Sequence, residues 1–183
     1  NLGIIYKKGQ GVVKDYSLSR YHFEICAKEK YPRSLYQLGK FYCKGLGVEQ
    51  DYKKAREYFE LCAQANNYHK ALYQLGMMHK NGQGVEQDYK KAREYFEFSA
   101  IQKNSKASYQ LGVLYYESHD FRKAIHCFIV SEQMNNLNAS FYLGLILENG
   151  DGAERNLSKA IDYYKKCSKE KHTRSIIQVG TTN

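Results

Sequence analysis

The chain has 183 residues, 43% of them hydrophobic and 26% charged. That balance supports a folded core and excludes an intrinsically disordered chain. A single proline and few β-branched runs argue against a strand-and-turn sandwich and for an all-α protein, and no apolar stretch is long enough to span a membrane.

The opening residues carry neither an initiator Met nor the zones of a signal peptide, and the chain is expected to be a segment of a longer protein. The first predicted element is a short helix around Leu2-Gly3-Ile4-Ile5-Tyr6, closed by Gly9-Gln10-Gly11. Asp15 then caps a second helix that begins at Tyr16. This order recurs. Leu-Gly stands at Leu2-Gly3, Leu38-Gly39, Leu75-Gly76, Leu111-Gly112 and Leu143-Gly144, with Val179-Gly180 as a sixth, in steps of 36, 37, 36, 32 and 36. Four residues before each Leu, from the second copy on, is a small residue: Ser34, Ala71, Ala107, Ala139 or Ser175. Three residues after each Gly is Tyr6, Tyr42, His79, Tyr115 or Leu147. These positions share one helical stripe, that of a helix A.

Gly9, Gly45, Gly82 and Gly150 are predicted to end helix A, since glycine readily enters the left-handed region just past a C-terminus. Asp15, Asp51, Asp88, Asp120 and Asn156 are predicted N-caps of a helix B. Helix B carries Ala55, Ala92, Ala124 or Ala160, with Ser19 in the first copy, and bulky residues at the Tyr58-Phe59 register. In the fourth copy the distance from Gly112 to Ala124 is 12 residues rather than 16. Both helices survive the deletion, so the glycine loop is an edge connection and the helix pair is the packing frame. Residues 48–60 and 85–97 are identical. The chain reads as one repeat array over residues 1–183: a partial copy at 1–30, copies at 31–67, 68–103, 104–135 and 136–171, and a partial copy at 172–183.

This pattern resembles the Sel1-like repeats, relatives of tetratricopeptide repeats with a glycine loop between helices. The resemblance covers nearly the whole chain and is clearest over residues 71–92; the short fourth copy looks like a plain tetratricopeptide repeat. His79 and Leu147, at the usual Tyr, and Glu132, at the usual Ala, depart from it. It implies an all-α, right-handed superhelix, an α-solenoid of stacked antiparallel helix pairs whose inner wall is lined by A helices. Laid onto this sequence, that wall displays Arg33, Tyr36, Lys40 and Lys44; Lys70, Tyr73, Met77 and Lys80; Lys106, Tyr109, Val113 and Tyr116; and Asn138, Phe141, Leu145 and Glu148. Tyr36, Tyr73, Tyr109 and Phe141 form one aromatic per repeat. Either they serve as a ladder for an extended peptide or they pack neighbouring helices.

Charge points the same way. Of 28 basic and 19 acidic side chains, 19 and 11 lie in residues 1–106, a basic field suited to an acidic or phosphorylated segment of a protein partner. The expected function is a protein-interaction scaffold or adaptor; the alternative is RNA binding by a basic, Tyr-rich helical repeat. RNA readers of this architecture vary their polar residues at the wall register, whereas here that register is aromatic. Apolar faces at the truncated ends are expected to favour self-association.

Chemistry finds little support. The Gly-x-Gly loops lack the strand and third glycine of a nucleotide fingerprint, so no cofactor is expected. The five cysteines form no Cys-x-x-Cys and the six histidines no metal-ligand spacing, so no metal is expected either. An odd cysteine count favours reduced thiols and a cytoplasmic setting. Cys26, Cys62, Ser99, Ser131 and Cys167 share one slot in helix B, read here as a demand for a small residue. His79 is the sharpest candidate for catalysis, but no nucleophile or paired carboxylate accompanies it, and the chain is not expected to be an enzyme.

Overall fold

The computed structural model describes residues 2–66 and 68–169, which form ten α-helices and no strand. The A helices are α1 (Leu2–Lys8), α3 (Pro32–Lys44), α5 (His69–Asn81), α7 (Ser105–Glu117) and α9 (Leu137–Asn149). The B helices are α2 (Tyr16–Lys28), α4 (Tyr52–Asn66), α6 (Tyr89–Ile101), α8 (Phe121–Gln133) and α10 (Leu157–Lys169). The final partial copy, 172–183, lies outside the described residues. The array divides into two compact units, residues 1–99 and 100–183.

Helix boundaries follow from local chemistry. Each expected N-cap forms: Asp15 Oδ1 accepts from Leu18 N at 2.9 Å, Asp51 from Lys54 N at 3.0 Å, Asp88 from Lys91 N at 2.9 Å, Asp120 from Lys123 N at 3.3 Å and Asn156 from Lys159 N at 3.0 Å. Each satisfies an amide that a helix start leaves orphaned. The same residues tie the hairpin together through their own amides, which donate to the A-helix carbonyls of Tyr6, Tyr42, His79, Tyr115 and Leu147. Gly45, Gly82 and Gly150 close helix A at φ between 63° and 83°. In the shortened copy the left-handed position falls to His119, at φ 59°.

The hairpin closes on a repeated contact. Added to Gly76, a Cβ would lie 2.6 Å from Phe96, and on Gly112 it would lie 2.7 Å from Phe128; Phe59 and Tyr164 sit equally close over Gly39 and Gly144. Glycine therefore lets the buried ring of helix B rest on the backbone of helix A. Adjacent hairpins within a unit share the next layer. In residues 1–99, Leu35, Ala71, Leu75 and Met78 of α3 and α5 enclose Phe59 and Cys62 of α4, while Phe23, Leu38 and Phe41 join α2 to α3. In residues 100–183, Val113, Phe128, Ala139, Leu143 and Ile146 form the corresponding core. The loops also step from repeat to repeat: a Cβ on Gly47 would lie 2.8 Å from Tyr16 Cβ and one on Gly84 2.7 Å from Tyr52 Cβ.

Candidate functional site

The aromatic of each A helix leans on the helix-B ring that covers its glycine. Ring centroids are 5.8 Å apart for Tyr36–Phe59, 5.9 Å for Tyr73–Phe96, 6.1 Å for Tyr109–Phe128 and 5.8 Å for Phe141–Tyr164. All four A-helix rings stay half-buried. Each is thus braced from behind by its own hairpin, and Tyr36 and Tyr109 also touch the next A-helix layer through Tyr68 and Tyr142. Burial raises the hydroxyl pKa of Tyr36 and Tyr73 above that of a free tyrosine.

The remaining expected wall residues divide by exposure. In residues 1–99, Arg33 and Lys44 of α3 and Lys70 of α5 are exposed, whereas Lys40, Met77 and Lys80 are half-buried. The Lys40 ammonium lies 5.7 Å from the centre of the Tyr36 ring, a cation–π contact. In residues 100–183, Lys106 is exposed at the start of α7. Tyr116 donates to Asp151 Oδ2 at 2.8 Å; burial, then this carboxylate, pushes its pKa up to about 12. Glu148 accepts from Tyr164 at 2.6 Å. Asn138 is exposed, and Leu145 is half-buried like Phe141. Val113 differs: it is 6% exposed and belongs to the core with Phe128 and Leu143, because at that register α9 covers α7. It offers no wall surface.

One lysine outside the expected set joins this face. Lys7 of α1 is half-buried, donates to Gln37 Oε1 and lies 5.5 Å over the Phe41 ring. Its pKa is lowered first by burial and then by the ammonium groups of Lys40, Lys44 and Lys8. The signal was available: Lys7 stands four residues after Gly3, as Lys80 does after Gly76.

His79 and the helix-B cysteine and serine slot are packed within the hairpins. His79 is 9% exposed and stacks on Tyr95 at 5.5 Å, as Tyr42 stacks on Tyr58 at 5.6 Å and Tyr6 on His22 at 5.6 Å. Burial is the largest cause of its lowered pKa. It occupies the ring position of its repeat. The Cys/Ser slot of helix B does more than stay small. Cys62 donates to Pro32 O at 3.0 Å, Ser99 to His69 O at 2.7 Å, Ser131 to Ser105 O at 2.7 Å and Cys167 to Leu137 O at 3.2 Å. Each bond ties helix B to the first residue of its partner helix A, and burial pushes the Cys62 thiol up to about 12. Among the described residues no group of His, Cys, Asp or Glu side chains is placed to hold a metal ion, and no helix is long and apolar enough to cross a membrane.

The hairpin with its glycine loop, repeated with these contacts, is matched by the Sel1 repeat pattern at residues 1–30, 32–67, 69–104, 105–135 and 137–172. The chain belongs to the Sel1 repeat family. The shortened fourth copy is matched along with the rest. The fold is likewise that of a Sel1 repeat protein from Oxalobacter formigenes, with TM-score 0.91 and 26% identity over 98% of this chain and 75% of the other. A protective antigen of uropathogenic Escherichia coli with an SLR fold, c5321, aligns with TM-score 0.64 and 24% identity, over 97% of this chain and 46% of its own. Immunity protein Pa5087 from Pseudomonas aeruginosa aligns with TM-score 0.62 and 19% identity, over 94% and 67%. Comparison with curated protein sequences gave no match. Sel1 repeat proteins act as scaffolds for protein–protein interaction, and their fold is typically non-enzymatic.

Proposed function

We propose that this Sel1 repeat chain is an adaptor that holds an extended acidic segment of a partner protein against the faces of its A helices. The observation that carries the reading is the braced aromatic column. Tyr36 and Tyr73 are held against Phe59 and Phe96 yet remain half-exposed, so a partner meets apolar surface whose ordering entropy is already spent in folding. Arg33, Lys40, Lys70 and Lys80 flank the column on α3 and α5, and cations beside aromatic anchors select carboxylates and steer their approach.

The test is fluorescence anisotropy with a labelled poly-Glu peptide against the wild-type chain, Tyr73→Ala/Lys80→Glu, and Lys53→Glu/Lys90→Glu on helix B as control. The A-helix variant is expected to weaken binding by on the order of tenfold or more, and the control by much less. Raising salt from about 50 to about 300 mM should weaken the wild type as well. Equal affinity of the wild type and the A-helix variant would place the partner elsewhere and overturn the reading.

A further inference from the structure

We propose that the lysines gathered by α1 and α3, Lys7, Lys40 and Lys44 with Lys8 at their margin, form a receptor for a phosphate monoester dianion on the partner's segment. The inference rests on the A-face reading above and narrows it from an acidic to a phosphorylated segment.

Three observations converge. The first is placement. Lys7 is anchored by a neutral amide, Gln37 Oε1, and by the face of Phe41, while Lys40 is held over Tyr36. The ring beneath Lys7 shields that ammonium from water and fixes it without an opposite charge. The second is charge. Among the described residues no salt bridge within 4.0 Å joins Lys7, Lys8 or Lys44 to a carboxylate; the ion pairs lie elsewhere, as in Arg20–Glu24 and Arg56–Glu60. Burial first, and then Lys40, Lys44 and Lys8, lower the Lys7 pKa. Folding has therefore gathered like charges at a cost that an incoming anion relieves. The third is stoichiometry. A carboxylate brings one charge, whereas a phosphate monoester brings nearly two with three acceptor oxygens, which suits several point-like ammonium donors carried on two helices that Lys7 and Gln37 join.

The experiment uses the whole chain and three labelled peptides identical but for one central residue in a Glu-rich frame: Ser, Glu or phosphoserine. The phosphoserine peptide is expected to bind on the order of tenfold more tightly than the Glu peptide. Lys7→Gln is expected to abolish that preference, and Lys44→Gln, at an exposed position, to reduce it without any packing change. Inorganic phosphate, at ionic strength matched with chloride, should shift the side-chain ammonium signals of Lys7 and Lys40 and compete with the phosphoserine peptide. Equal affinity for the phosphoserine and Glu peptides would overturn the phosphate inference and leave the acidic-segment reading standing. A wild-type chain that binds none of the peptides overturns both. Competition by single-stranded RNA as effective as that of the phosphoserine peptide would also overturn it, since phosphodiester monoanions would then suffice.

Discussion

A ring resting on backbone leaves no space for a methyl group. In Gly76→Ala the new Cβ would lie 2.6 Å from Phe96, a ring with 0% exposure, so the substitution is expected to cost about 1–3 kcal/mol. Urea unfolding checks this, and Phe96→Leu in the same chain should recover part of the loss. The donor slot makes a separate prediction. Ser99→Ala loses the bond to His69 O and should cost about 0.5–1.5 kcal/mol, whereas Ser99→Cys should cost less, because Cys62 and Cys167 fill equivalent positions with a thiol donor. Size alone would make Ala the better substitute, so the pair of variants separates the two demands. The sequence showed that slot as Cys or Ser and never Ala. Smallness explains the absence of large residues there, but only hydrogen bonding explains the absence of alanine.

At the scale of a helix, the caps were legible because a polar residue before an apolar run has few other reasons to recur. Asp51→Ala should cost about 1 kcal/mol by removing an acceptor for the α4 amides, as measured by thermal unfolding. The Asp88 carboxyl is held below the ordinary carboxylate range, first by the backbone N–H of Lys91. A depressed folded-state pKa means that its contribution is complete above the unfolded value and is lost as pH falls through the folded one. Between about pH 6 and about pH 3 the wild type should thus lose more stability than Asp88→Asn, which caps without ionising; parallel urea curves at the two pH values decide it. Less legible was which face of helix A meets its neighbour. Val113 lies on the same stripe as Tyr109 in sequence, yet contact with Leu143 places it in the core. Lys7 was legible in the same way as Lys80, since its register after Gly3 matches that of Lys80 after Gly76.

For the molecule as a whole, the repeat count foretold helices, loops and family, because a lone helix pair cannot bury its apolar faces. It did not foretell the division at the end of α6, since that depends on which contacts are dense rather than on which residues recur. Each unit holds its own buried cluster, so damage should be felt locally first. Phe128→Ala is expected to cost about 3–5 kcal/mol, with hydrogen exchange accelerating in α7 to α9 before α3 to α5. Equal acceleration in both sets would show that the chain opens as one cooperative body.

The same joints recur within residues 1–99: ring on glycine, donor on the first carbonyl, loop glycine on the preceding helix B. An in-frame crossover between the identical residues 48–60 and 85–97 therefore deletes or duplicates a full module without creating an unfamiliar junction. Within a population, such genes can drift in length by whole modules, and the span of A-helix face they encode drifts with them.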